Sequence, residues 1–173
     1  IDVDRAKRTL AAHGHVLSQF LDRPRPDPSG KKPPAKSGFL TVRAPDMLYT
    51  DEDRLAHYTG GAELVRPGMT VRAREIRAYL RESSADSTLD RAFADGAVRI
   101  DQSSPGLKRT ATSEHAEFYE KDQQVILTGG EPRLVDSARG TTRGRRLMYY
   151  ADRDRLIVEG GEGQPAVNRL QRK

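Results

Sequence analysis

The sequence predicts an all-β protein, a meandering antiparallel sheet built from about five degenerate strand-turn-strand repeats. Three observations carry this expectation. A segment ending at Gly-Gly recurs along the chain, apolar and polar residues alternate with a period of two in the stretches between the copies, and helical stripes are hard to find. Only 35% of the residues are apolar and 32% are charged, which suits an extended sheet with much exposed surface better than a compact globule. With 173 residues the chain is expected to form a single domain, residues 1–173, interrupted by a proline-rich loop insertion at 22–38.

The repeat is visible when residues 49–61 (YTDEDRLAHYTGG), 118–130 (FYEKDQQVILTGG) and 149–161 (YYADRDRLIVEGG) are written one under another without gaps. Each opens on aromatic residues, passes a charged turn, enters an apolar run and stops at Gly-Gly. Residues 3–14 form a weaker copy, and residues 89–96 preserve the second half of one. The leading glycines fall at Gly14, Gly60, Gly96, Gly129 and Gly160, with separations of 46, 36, 33 and 31. Removing the 17-residue segment 22–38, which holds five of the ten prolines, brings the first separation to 29. That segment, DRPRPDPSGKKPPAKSG, has almost nothing to bury and is expected to be an exposed loop.

Each copy is expected to be a strand, a polar turn and a returning strand. In the last one, Arg146 to Tyr150 supplies strand formers, Ala151 to Asp154 the turn, and Leu156, Ile157 and Val158 the return. The Gly-Gly that follows permits positive φ, so a returning strand can bend there and continue. Alternation marks the connecting strands: Leu40, Val42 and Ala44; Met69, Val71 and Ala73; Val98 and Ile100. Residues 46–57 and 73–82 can each be drawn as a short helix, and at most one such helix is expected.

The residues offer little for catalysis. The acidic clusters Asp51-Glu52-Asp53 and Asp152-Arg153-Asp154 occupy equivalent turns, where Asp bonds its own backbone. The Gly-Gly pairs match no P-loop or dinucleotide fingerprint, and no nucleophile elbow is present. His13 and His15, two apart, would share a face on a regular strand, but no Cys or carboxylate completes a ligand set, so neither a metal nor another cofactor is expected. The formal charge is +5, with 23 of the 30 cations being Arg; acidic residues neighbour most of them and only ten aromatics exist, so no nucleic acid partner is expected. No apolar run approaches the roughly 18 residues of a membrane span. The chain begins at Ile1 rather than Met, in keeping with a processed or trimmed product whose signal has been removed.

Residues 113–161 resemble the OstA/LptA repeat of the lipopolysaccharide export proteins, through Ala116, Tyr119, Leu127, Gly129, Gly144, Leu147 and Tyr149, with earlier copies at 44–76 and 73–100. The resemblance implies an elongated antiparallel β-jellyroll of two facing twisted sheets, of the LptA, LptC or LptD N-terminal domain type. It also implies a non-enzymatic periplasmic component of a transport bridge in outer membrane biogenesis, whose apolar groove shelters the acyl chains of lipid A. At about 0.8 kcal/mol per buried methylene, a dodecyl chain represents on the order of 10 kcal/mol.

The apolar row expected to line that groove is Met69, Val71, Ile76, Val98, Ile100, Phe118, Val125, Leu127, Leu147, Tyr149, Leu156 and Val158. Implied partners are lipopolysaccharide and other β-jellyroll components of the bridge, with homo-oligomers forming end to end through edge strands at residues 1–21 and 164–170. The proline-rich insertion and the stretch Ser83 to Ser87 depart from the family pattern. The alternative is a structural or adhesin-like β-repeat protein with a closed core and no lipid cargo.

Overall fold

The computed structural model describes residues 1–22, 38–82, 87–150, 155–161 and 166–169. Among them the regular elements are strands: β1 Asp2–Asp4, β2 Thr9–Asp22, β3 Gly38–Thr50, β4 Leu55–Thr59, β5 Ala62–Arg66, β6 Met69–Ala73, β7 Glu75–Glu82 and β8 Ser87–Ser104. They continue with β9 Leu107–Tyr119, β10 Gln124–Thr128, β11 Arg133–Asp136, β12 Gly140–Arg143, β13 Arg146–Tyr150, β14 Arg155–Glu159 and β15 Val167–Arg169. All pair antiparallel, as the alternation predicts. The insertion expected at 22–38 and the turn expected at 151–154 fall almost wholly outside the described residues.

The strands lie in two layers. The first has the order β1-β2-β3-β4-β7-β8-β9-β10-β13-β14; the second is built from β5, β6, β11, β12 and β15 together with the other halves of the long strands. The register of β3, β8 and β9 shows how the long strands serve both. In β3, Asp46 to Thr50 pair with β4 while Thr41 to Arg43 pair with β5. In β8, Glu75 to Tyr79 of β7 meet its first half and β6 its second. In β9, His115 to Tyr119 pair with β10, whereas Arg109 to Thr112 pair with β11. Each long strand therefore turns a corner from one layer into the other.

The repeated glycines are those corners. Register breaks between His13 and Val16 and between Asp95 and Val98, where Gly14, His15, Gly96 and Ala97 all have positive φ. Gly60-Gly61 joins β4 to β5 and Gly129-Gly130 joins β10 to β11, again with positive φ at all four. Intervening strands cross at Pro45, Arg74 and Glu114, packed against the glycines: a Cβ on Gly60 would lie 3.0 Å from Pro45, and one on Gly130 would lie 2.6 Å from Glu114 Cγ. The backbone is stitched there by Gly61 N–H to Arg74 O, Arg74 N–H to Gly96 O and Glu114 N–H to Gly129 O, at 2.9, 2.9 and 3.0 Å.

The limit of at most one helix holds, and one further expectation needs correction. Among the described residues neither 46–57 nor 73–82 is helical: the first is the β3–β4 hairpin and the second is the end of β6 followed by β7. Burial alternates along β7, with Ile76 and Ala78 buried between partly exposed Glu75, Arg77 and Tyr79, so the period-two pattern prevails over local helix propensity. His13 and His15 do not sit on one regular strand, because the bulge at Gly14-His15 falls between them; His13 Nδ1 meets Asp46 Oδ1 at 2.8 Å instead.

The corner makes a stability prediction. Gly96 combines φ +83° with a Cβ position 2.9 Å from Arg74 Cβ, whereas Gly14 has φ +75° and nothing within 4 Å. Gly14→Ala is expected to cost about 1–2 kcal/mol from the left-handed backbone alone. Gly96→Ala is expected to cost more, since the strands must also separate. Urea unfolding of the two variants measures the difference, and equal losses would contradict the packing role of the corner.

Candidate functional site

Because side chains alternate and the register is continuous, the inward residues line up in rows across each layer. In the first layer one row runs Tyr49, Ala56, Ala78, Ala92, Phe118, Val125, Tyr149 and Leu156. The row beside it, nearer the corner, runs Met47, Tyr58, Ile76, Ala94, Ala116, Leu127, Leu147 and Val158. Facing them in the second layer are Val42, Leu64, Val71, Ile100, Ala111 and Leu134. All of these except Ala92, Phe118 and Tyr149 belong to one core cluster or pack against it.

Burial grades across that core. Tyr58, Val42, Ile76 and Val98, toward the corner, are at most 1% exposed. Met69, Phe118, Val125, Tyr149 and Leu156, toward the ends where the hairpins turn, are only partly buried. The layers thus close at the glycine corner and part at the opposite side. The inner faces are also rich in alanine, with Ala56, Ala78, Ala92, Ala94, Ala111 and Ala116 all buried. A methyl group cannot span the space that two layers roughly 10 Å apart leave between them. Two adjoining hollows result, of about 40 and 80 Å³.

Leu40, Leu64, Val71, Ile76 and Leu89 line the first hollow; Leu127, Leu134, Leu147, Tyr149 and Leu156 line the second; Arg66, Met69, Ile100, Phe118 and Val125 line both. Of the twelve residues expected to form an inward row, ten border these hollows. Val98 is sealed into the corner, and Val158 packs against the core without reaching them. A larger depression of about 370 Å³ lies outside, at the corner beside His15, Leu17, Arg43, Pro45 and Glu63, and is a surface feature.

The hollow's rim also carries polar residues that a search for apolar patterns passes over. Arg66 faces Met69, Met69 faces Gln102, Gln102 faces Arg109 and Arg109 faces Asp136 across successive strands of the second layer. Arg66 has the strand parity of Ala62 and Leu64, which was the sequence signal for an inward position. Arg109 and Asp136 are 7% and 4% exposed and form an ion pair, Nε to Oδ2, of 2.7 Å. Arg109 Nη1 donates to Tyr149 Oη at 2.5 Å and its guanidinium lies 5.0 Å from the ring centre, tying the second layer to the first. Burial acts to raise the Asp136 carboxyl, but hydrogen bonds from Arg109 and the backbone N–H groups of Ala138 and Arg139 outweigh it and hold the group below its ordinary value.

Most arginines elsewhere on the described surface are neutralised across strands. On the outer face of the second layer Arg43 and Arg72 share Glu63 at 3.5 and 2.9 Å, and Arg72 and Arg99 share Asp101 at 3.5 and 2.9 Å. On the first layer Asp95 receives Arg77 at 2.7 Å and His115 at 2.5 Å beside Phe93. Such exposed pairs contribute little individually, but they set strand register and keep the outer faces wet. No group of three His, Cys, Asp or Glu is placed to hold a metal ion among the described residues.

Among solved structures the chain resembles LptH, the LptA-homologous periplasmic component of the conserved lipopolysaccharide transport device from Pseudomonas aeruginosa. The two superpose with a TM-score of 0.65 over 77% of this chain and 95% of that one, at 13% sequence identity. The two-layer β-jellyroll is therefore the LptA-like fold that the repeat implies. No protein-family model and no curated protein sequence matches the chain significantly.

The buried pair gives a prediction with a defined sign. Asp136 has a folded pKa below its unfolded value, so its contribution is present above the unfolded value near 3.9 and is lost as pH falls through the folded value. Asp136→Asn, which leaves Arg109 buried without a counter-charge, is expected to cost about 3 kcal/mol at pH 7. The deficit should shrink on acidification toward pH 3. Denaturant unfolding at both pH values checks this; a deficit independent of pH would contradict it.

Proposed function

We propose that this protein is a non-enzymatic periplasmic component of a lipopolysaccharide transport bridge, holding lipid A acyl chains between its two layers. The observation that carries the proposal is the unfilled, alanine-lined space between continuous apolar rows, open on the side away from the corner. A closed structural core would fill that space, since interiors otherwise pack to crystal-like density. Hollows of about 40 and 80 Å³ admit only part of a chain, so a chain enters by parting the layers at their open side. Burying a dodecyl chain contributes on the order of 10 kcal/mol, enough to offset separation of a few partly exposed side chains.

The edges support assembly end to end. Among the described residues β1, β14 and β15 each pair on one side only, and Ile1, Val3 and Val167 expose 91, 57 and 40% of their surface on or beside β1 and β15. Free main-chain donors and acceptors flanked by apolar side chains suit strand addition by another jellyroll or a second copy of this chain.

Photo-crosslinking side chains placed at Val71, Phe118 and Leu156 are expected to capture lipopolysaccharide, while controls at outward Arg72 and Arg99 remain unlabelled. Labelling at the surface positions with none at the interior ones would sink the proposal.

A further inference from the structure

The charged residues bordering the hollows are Arg66, Arg109 and Glu117. Two of them are already engaged. Arg109 is neutralised by Asp136, and Glu117 accepts from Tyr119 Oη at 2.6 Å and meets His115 Nε2 at 3.3 Å. Arg66 differs: it has no carboxylate partner among the described residues, and its guanidinium lies 5.6 Å from the centre of the Phe118 ring, across the gap between the layers. It occupies an inward position at the end of β5, is partly buried, and borders both hollows at their open side. Met69 and then Gln102 follow it on the same row, and neither supplies negative charge.

A cation held over an aromatic ring at the mouth of an apolar space, with no countercharge among the described residues, is a site for an anion whose own tail is apolar. The guanidinium's planar fork matches a phosphate through two parallel N–H···O bonds, and these bonds strengthen where neighbouring side chains exclude water. We infer that Arg66 forms a headgroup site that selects a phosphorylated amphiphile over an uncharged one of the same chain length. This inference rests on the acyl-chain reading of the hollow and adds to it which end of the ligand lies at the mouth. The phosphate belongs to the amphiphile, because Arg66 alone offers too few donors to retain a free ion.

Titration of the full chain with dodecyl phosphate and with dodecyl maltoside, followed by isothermal calorimetry at low salt, tests it. Wild type is expected to bind the phosphate at least about tenfold more tightly, with the preference shrinking as salt is added. Arg66→Gln should abolish the preference by bringing dodecyl phosphate down to the affinity of the maltoside, and Arg66→Lys should retain part of it. Inorganic phosphate at equal concentration should not displace dodecyl phosphate. Equal binding of the two amphiphiles by wild type, a preference that survives in Arg66→Gln, or equal loss of both amphiphiles in that variant would overturn the inference and leave the acyl-chain reading standing. Displacement by inorganic phosphate would overturn it too, assigning the site to the free ion. Failure of wild type to bind either amphiphile would overturn both.

Discussion

Strands pass from one layer to the facing one along a single line, where positive-φ residues turn every other crossing and the strands between them, such as β3 at Pro45 and β9 at Glu114, cross while remaining extended. Gly14, Gly60, Gly96 and Gly129, each followed by a second positive-φ residue, turn alternate crossings through the same corner. Everything else follows from that line. It closes the layers on one side, so the only place they can separate is the other, and it brings apolar rows from distant parts of the chain face to face.

The interior that results is graded. Large side chains such as Tyr58, Ile76 and Leu147 fill the closed side, while alanines take up the middle of the first layer and leave space beyond them. Most charge on the described residues is kept outside by cross-strand pairs, and the rim departs from this. Arg109 and Asp136 are buried there, and the cost of that burial is offset by mutual pairing, two backbone hydrogen bonds to the carboxylate and a contact to Tyr149. This pair fixes the β11–β12 turn against the first layer without closing the mouth, and a few strands away Arg66 has no carboxylate partner among the described residues.

An apolar space with a cationic rim suits a molecule that is apolar at one end and anionic at the other. The LptA-like jellyroll shared with LptH is the scaffold, and the same fold with a filled interior would have no such capacity.

Much of this architecture was legible in the amino-acid order alone. The glycine period, the alternation in segments such as Met69 to Ala73, and the turn-forming acidic cluster at Asp51 to Asp53 are local signals, and local backbone preferences decide strands, hairpins and corners. The inward parity of ten hollow-lining residues follows from the same period of two. What the tertiary structure decided is where those faces stop touching. The alanines read in sequence as unremarkable small residues, and Arg66 and Arg109 as solvated charges, because whether a side chain meets a neighbour, a partner of opposite charge or empty space depends on strands that lie far apart in the chain and are brought into register only by folding.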